Sequence, residues 1–389
     1  MKRWSLLRSA LIAAALVSQG MVYADTAQTG VYQAKVPLGS ETALTQLYSY
    51  PNKPGSSESL ADTIAHYTTQ TAQRDGMPNL SVDVTKNGDQ YSANITSSYY
   101  RVFDYQKRLP DFLAIGQKAV DATAQLKKDG KWDDKEWRMY LPLGLAMVDQ
   151  RSVQLLHFPP DYSLPEQDYL GSKTSQRWES LLELNGVPAS DVTLYEAIVD
   201  IAPIAAPASA GSTLEATYSY YAPYAHGMLE FLTKRQKGTA RPVVAYGYPV
   251  RNWVQQQFGV SLQVLDTGTI KFSDGVSATI IGANHPSYIW YAKDKGFAVA
   301  ETVMYQDLTA ACWQATMGNN PDADPAKTVK SCDSSWHKRP TDVCMLTWEQ
   351  AFDKSEQEAK TLCQSPQPKS LPRGIDMEKL ERNAAPYLH

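Results

Sequence analysis

The stretch Val276-Ser277-Ala278-Thr279-Ile280-Ile281-Gly282-Ala283-Asn284-His285-Pro286-Ser287 reads as a buried strand that delivers a histidine at its carboxyl end. Its β-branched, apolar residues mark the strand. Gly-Ala-Asn-His-Pro then opens it into a loop, the usual place for a ligand site in an open α/β sheet. Pro286 disfavours helical geometry at His285, so the imidazole leaves the strand in an extended conformation. Ser287 then stands where it can cap a helix over Tyr288-Ile289-Trp290-Tyr291-Ala292. Two roles are open for His285: donor to a ligand, or member of a helix-capping turn.

Upstream of this strand, short apolar runs alternate with helical spacing from 152 to 293. Val153-Gln154-Leu155-Leu156-His157-Phe158 is strand-like and stops at Pro159-Pro160. A helix over 174–185 follows, with Trp178, Leu181, Leu182 and Leu184 facing inward and Gly186 as its stop. Val192-Thr193-Leu194-Tyr195 is the expected second strand. After an alanine- and proline-rich loop at 202–210 and a helix near 224–235, Pro242 to Gly247 forms the third. That strand feeds a helix over 248–258, with Pro249 in its first turn and Gly259 at its end. Strand and helix in alternation imply an α/β core over 151–300, a mostly parallel sheet with helices on both faces.

The order of these pieces resembles the uracil-DNA glycosylase superfamily. Tyr169-Leu170-Gly171-Ser172 with the helix beginning near Trp178 looks like its aromatic-x-Gly segment and first helix. Asp191 to Pro203 looks like its second strand and following proline. Residues 242–253 are similar to its strand-glycine-helix unit, and His285-Pro286-Ser287 matches its His-Pro-Ser motif. The resemblance implies that His285 donates to a carbonyl oxygen of an extruded base, stabilising charge as a glycosidic bond breaks. Two other parts of the family pattern are missing. Phe158 stands where the water-activating acid is expected, with Asp161 close by as a substitute, and Tyr195 and Glu196 stand near the place of the base-reading asparagine. Glutamate only accepts when ionised, so a uracil edge is no longer matched.

The flanking regions carry other signals. Lys2, Arg3 and Arg8 precede the apolar run Leu11 to Val17 and the pattern Val22-Tyr23-Ala24, so an export leader cut after Ala24 is expected, without a membrane anchor. The formal net charge is −4, and loss of those three basic residues takes it to about −7, which lowers the prospect of a duplex nucleic acid partner. From 25 to 150 an N-terminal α+β region is expected, with helices at 40–50 and 57–71, a hairpin turning at Lys86-Asn87-Gly88-Asp89, and a helix over 109–128. Beyond 301 lies a helical region holding Cys312, Cys332, Cys344 and Cys363. In an exported chain these imply two disulfides, of three possible pairings, locking the region onto the sheet. Residues 321–340 are expected as a polar loop, 348–362 as one helix, and 364–389 as a poorly ordered tail.

Several chemistries are excluded or disfavoured by what the sequence lacks. It has no Gly-x-Ser-x-Gly elbow, P-loop, Gly-x-Gly-x-x-Gly or His-Glu-x-x-His, so no cofactor is expected. Without a Cys-x-x-Cys pair, a zinc site is disfavoured too. His157 and His285 both belong at the carboxyl edge of the expected sheet, where Asp161 and Glu196 are candidates to join them. Three readings follow. The first is an exported protein reusing a glycosylase-like pocket for a small polar or aromatic ligand, with His157, Phe158, Tyr195, Asn284 and Ser287 as lining residues. The second is an N-glycosidase-like hydrolase using Asp161 or Glu196 with His285. The third is a structural or interaction protein.

Overall fold

The computed structural model describes residues 31–48, 58–74, 79–100, 102–140, 150–158, 173–234 and 240–364. The expected leader, the breaker at 51–55, Asp161, the 169–172 segment and the tail beyond Gln364 lie outside them.

The N-terminal part comprises β1 (Tyr32–Ser40), α1 (Glu41–Leu47), α2 (Leu60–Arg74), β2 (Ser81–Asn87), β3 (Gln90–Ser97) and α3 (Val102–Lys128). The expected hairpin is present. β2 and β3 pair antiparallel down to Asn87↔Gln90, and Gly88 takes the turn at φ 65°. β1, which the sequence reading passed over, pairs antiparallel with β3 to give the order β1-β3-β2. It buries Ala34, Val36 and Leu38 at the period of two that a half-buried strand requires. α3 packs against β1 and, on the central part of the chain, against the helix that carries Tyr221. There Thr123 and Tyr221 share a buried hydroxyl hydrogen bond of 2.8 Å.

The central part runs β4 (Arg138–Met139), β5 (Val153–Leu156), α4 (Lys173–Leu184), β6 (Ala197–Asp200), β7 (Ile204–Ala205), α5 (Gly211–Glu215), α6 (Tyr218–Thr233), β8 (Val243–Tyr246), α7 (Gly247–Phe258), β9 (Thr267–Lys271) and β10 (Ser277–Ala283). Five of these strands form one sheet in the order β6-β5-β8-β10-β9. The first four are mutually parallel, and β9 is antiparallel to β10 at the edge. β5, β6 and β8 are buried along their whole length, as parallel strands covered by helices must be. α6 and α7 form one helical group, meeting where His226 packs on Trp253 and Phe258. α4 joins a second group with the helices that follow the sheet.

Two readings of this part need correction. Val192–Tyr195 is one turn of 3₁₀ helix, closed by Leu194 N–H to Asp191 O at 3.0 Å, and the second strand is Ala197–Asp200. β-type composition did not suffice there, because Tyr195 is held by bonds from its hydroxyl to Asn319 and from Arg151. Leu184 is 42% exposed. Six residues past Trp178, it lies about 120° round the helix from the buried stripe of Trp178, Leu181 and Leu182.

The C-terminal part has α8 (Tyr288–Ala292), α9 (Phe297–Asn319), α10 (Pro325–His337), α11 (Pro340–Phe352) and α12 (Glu356–Gln364). The expected polar loop at 321–340 contains α10, started by Asp324, whose side chain accepts from Lys327 N–H at 3.0 Å ahead of Pro325. The expected single helix at 348–362 is broken at Asp353, with φ 54°. A capping box restarts it: Ser355 N–H donates to Glu358 at 2.9 Å while Glu358 N–H donates back to Ser355 Oγ. The cysteines pair as Cys312–Cys332 and Cys344–Cys363, so each bond staples helix to helix and neither reaches a strand.

No free cysteine remains, so the unreduced, unfolded protein should show no alkylatable thiol. Replacing Cys332 by Ser opens a loop with a sequence separation of 20 residues. The change should cost about 3 kcal/mol in a denaturant titration. A loss under about 1 kcal/mol would mean that helix packing alone holds α10 on α9.

Candidate functional site

β5 is followed by β6 on one side, and the chain then returns to place β8 on the other, so the order reverses between β5 and β8. A crevice opens at the carboxyl ends of strands at such a point. The turns that flank it carry His157 after β5 and Gly247 after β8, with His285 arriving from the end of β10. Gly247 has φ 82°, a conformation that favours glycine, and a Cβ built on it would lie 3.5 Å from the Cβ of His285. One strand further back, Gly282 has no room for a side chain, since its Cβ would meet Gln263 O at 2.2 Å.

The two histidines meet. Their ring centroids are 5.6 Å apart and nearly perpendicular, and the His157 ring also packs edge-on against buried Phe158. The Ser287 backbone N–H donates to His285 Nδ1 at 3.3 Å, and the Ser287 hydroxyl lies 2.7 Å from the same nitrogen. Nδ1 therefore carries the lone pair and Nε2 the proton. Among the described residues Nε2 has no hydrogen-bond partner, and His285 as a whole is half-buried. Burial, with His157 and Arg177 adding positive potential, drops the His285 pKa to about 3, and burial drops that of His157 to about 4. Both rings are neutral near pH 7. Ser287 heads α8 without a side-chain cap bond, because its hydroxyl is engaged by His285 instead.

The turn that presents His285 is fastened from below. Arg177 of α4 donates from Nη1 to Pro286 O at 2.8 Å and pairs through Nη2 with Asp307 of α9 at 2.8 Å. Asn284 uses its amide donors on Gln306 at 2.9 Å and Asp307 at 3.3 Å, both on α9. Arg251 of α7 donates to Ala283 O at 2.8 Å. Burial raises the Asp307 carboxyl to about 6, although Arg177 and Asn284 pull it the other way. Asn284, expected to line a pocket, is a buried tie between the strand end and α9.

The other expected site residues divide. His157, Phe158 and Ser287 come to the carboxyl edge with His285. Tyr195 and Glu196 precede β6 at the opposite edge, where Ala197 pairs with Val153, a full strand length from His157. Tyr195 is there a structural anchor: its backbone carbonyl accepts from Ser152 Oγ and Gln314 Nε2, each at 2.8 Å. Asp161 lies outside the described residues. Among the described residues, an acid ends one of the strands at the carboxyl edge: Asp200, the last residue of β6 and the partner of Leu156. It is fully buried, neither carboxylate oxygen has a hydrogen-bond partner, and burial raises its pKa to about 8. Its sequence signal was an aspartate inside the apolar run Ala197-Ile198-Val199-Asp200-Ile201-Ala202, hidden once the strand was placed at 192–195. Arg177 and Asp307, distant in sequence, gave no signal.

No family model, curated protein or solved structure matches the chain.

Two measurements check this electrostatic layout. The folded pKa of His285 lies below the ordinary value of 6.5, so the unfolded chain binds the extra proton between about 3 and 6.5. Stability from this group should be complete above pH 6.5 and lost on acidification through that window, with the His285 ring signals showing no titration above pH 5. Asp200 has the opposite sign: its raised pKa makes stability fall as pH rises from about 4 to 8, so Asp200→Asn should gain on the wild type across that range. For the fastening network, Arg177→Met leaves Asp307 buried without its cation and should cost about 3–5 kcal/mol at pH 8. The loss should shrink towards pH 5 as Asp307 takes up a proton.

Proposed function

We propose that this is an exported binding protein that holds a small polar or aromatic ligand in the crevice between β5 and β8, with His285 Nε2–H as the donor to a carbonyl-type oxygen. The observation that carries the reading is the meeting of His157 and His285 there, both neutral and neither with a hydrogen bond from Nε2 among the described residues. A neutral donor fixed by a second hydrogen bond suits an uncharged acceptor, and a crevice with Phe158 at its base suits a planar ring. Two disulfides suit an oxidising compartment.

The resemblance to the uracil-DNA glycosylase superfamily supports a pocket at this edge. Tyr195 and Glu196, read from the sequence as standing near the place of a base-reading asparagine, precede the strand Ala197–Asp200, so neither supports base reading at the carboxyl edge. The hydrolase reading would rest on Asp161, since Glu196 sits at the other edge of the sheet.

The test is a panel of nucleobases, nucleosides and short single-stranded DNA against the full chain, read by ligand-observed NMR and by turnover. A ligand from the panel should bind without turnover, and His285→Ala should weaken it at least tenfold while the unfolding midpoint stays put. A midpoint drop of about 1–3 kcal/mol in the variant, with no ligand bound by the wild type, would make His285 a structural cap and sink the reading.

A further inference from the structure

Apart from the histidine crevice, a cavity of about 200 Å³ opens between α9, α10 and the loop ahead of β9. Tyr305 and Gln306 of α9 line one wall, and Leu265 of the loop lines another. Val329, Lys330, Asp333 and His337 supply the third, spaced along α10 so that they share one face of that helix. The Cys312–Cys332 disulfide joins the two helices, so their walls are fixed relative to each other before anything binds. Leu265 is held at φ 68°, a left-handed conformation that is costly for a bulky side chain, and its N–H is tied to Gly282 O on β10 at 2.8 Å.

Its floor carries buried polar groups without a protein partner. Gln306 is 4% exposed; its Oε1 accepts from Asn284, and its Nε2 has no hydrogen-bond partner among the described residues. The hydroxyl of Tyr305, 3% exposed, has none there either. His337 stacks on Tyr305 with ring centroids 5.2 Å apart, and its Nδ1 lies 3.0 Å from Asp333 O and 3.2 Å from Asp333 Oδ2. A carbonyl only accepts, so Nδ1 carries a proton, and in the neutral ring Nε2 is left as an acceptor. The amide thus offers donors, the imidazole an acceptor and the phenol either role. Lys330 and Asp333 are opposite charges, so the lining has no net sign to select an ion. A charged ligand would give up hydration against a neutral floor, whereas each hydroxyl of an uncharged polyol both donates and accepts. Leu265, Val329 and the stacked rings offer apolar surface to the C–H face of such a ring. We propose that this cavity is a binding site for a single uncharged pyranose sugar, separate from the His285 crevice and independent of what binds there.

The experiment titrates the full, oxidised chain with glucose, galactose, mannose and N-acetylglucosamine, read by saturation-transfer NMR and by the ring signals of His337. At least one of the four should bind in the millimolar range and move the His337 signals. The uronate of that sugar, which adds a negative charge to the same ring, should bind severalfold more weakly. So should serine, a zwitterion able to pair with both Lys330 and Asp333. Val329→Trp, which fills the cavity, should abolish binding. His337→Ala removes an exposed ring, so it should weaken binding severalfold while the unfolding midpoint stays put. His285→Ala should bind the sugar as the wild type does, so failure of the crevice reading would not be mistaken for failure of this one. Binding of none of the four sugars, undiminished binding in either folded cavity variant, or equal or tighter binding of the uronate or of serine would overturn the proposal.

Discussion

The buried ion pair between Arg177 and Asp307 is the contact on which the site depends. It joins α4 to α9, and through Pro286 O and Asn284 it seizes the turn that follows β10. Taking two charges out of water costs several kcal/mol per ion, and that is visible in Asp307, whose carboxyl stays above its usual range even beside a guanidinium. A hydrophobic pair of equal volume could fill the space. It could not donate to the Pro286 carbonyl or accept from Asn284, and the turn that aims His285 would lose its footing. Specific orientation, more than stability, is what this pair provides.

Burial then sets the chemical character of the edge. Burial makes both His157 and His285 harder to protonate, and for His285 the neighbouring His157 and Arg177 add to the effect, so neither is an imidazolium near neutral pH. Asp200 is driven the same way from the opposite sign: its carboxyl holds a proton at pH 7. The carboxyl edge therefore carries neutral side chains in place of fixed charge.

Much of the framework was legible in the chain. Gly-Ala-Asn-His-Pro after a β-branched run placed a strand and its histidine. Asn87-Gly88 placed a hairpin, and four cysteines placed two disulfides. These are local signals, set by backbone restriction and side-chain period within a few residues. Longer-range competition defeated others. Val192-Thr193-Leu194-Tyr195 has strand composition, yet bonds to Arg151 and Asn319 hold Tyr195 in a 3₁₀ turn and move the strand to Ala197–Asp200.

That shift of one element decided the site. The sequence by itself determined that a histidine leaves the last parallel strand, that another ends the first, and that the four cysteines form two disulfides; that these join helix to helix and not helix to sheet was decided by the tertiary structure. Tertiary structure alone decided that the two rings meet at 5.6 Å and that Arg177 and Asp307 fasten the turn. It also decided that Asp200 ends its strand at their edge of the sheet while Glu196 stands at the other. The physical reason is register. Which strand end faces which is fixed by sheet order and by helices packing across it, and no residue's own composition encodes its neighbour across the sheet.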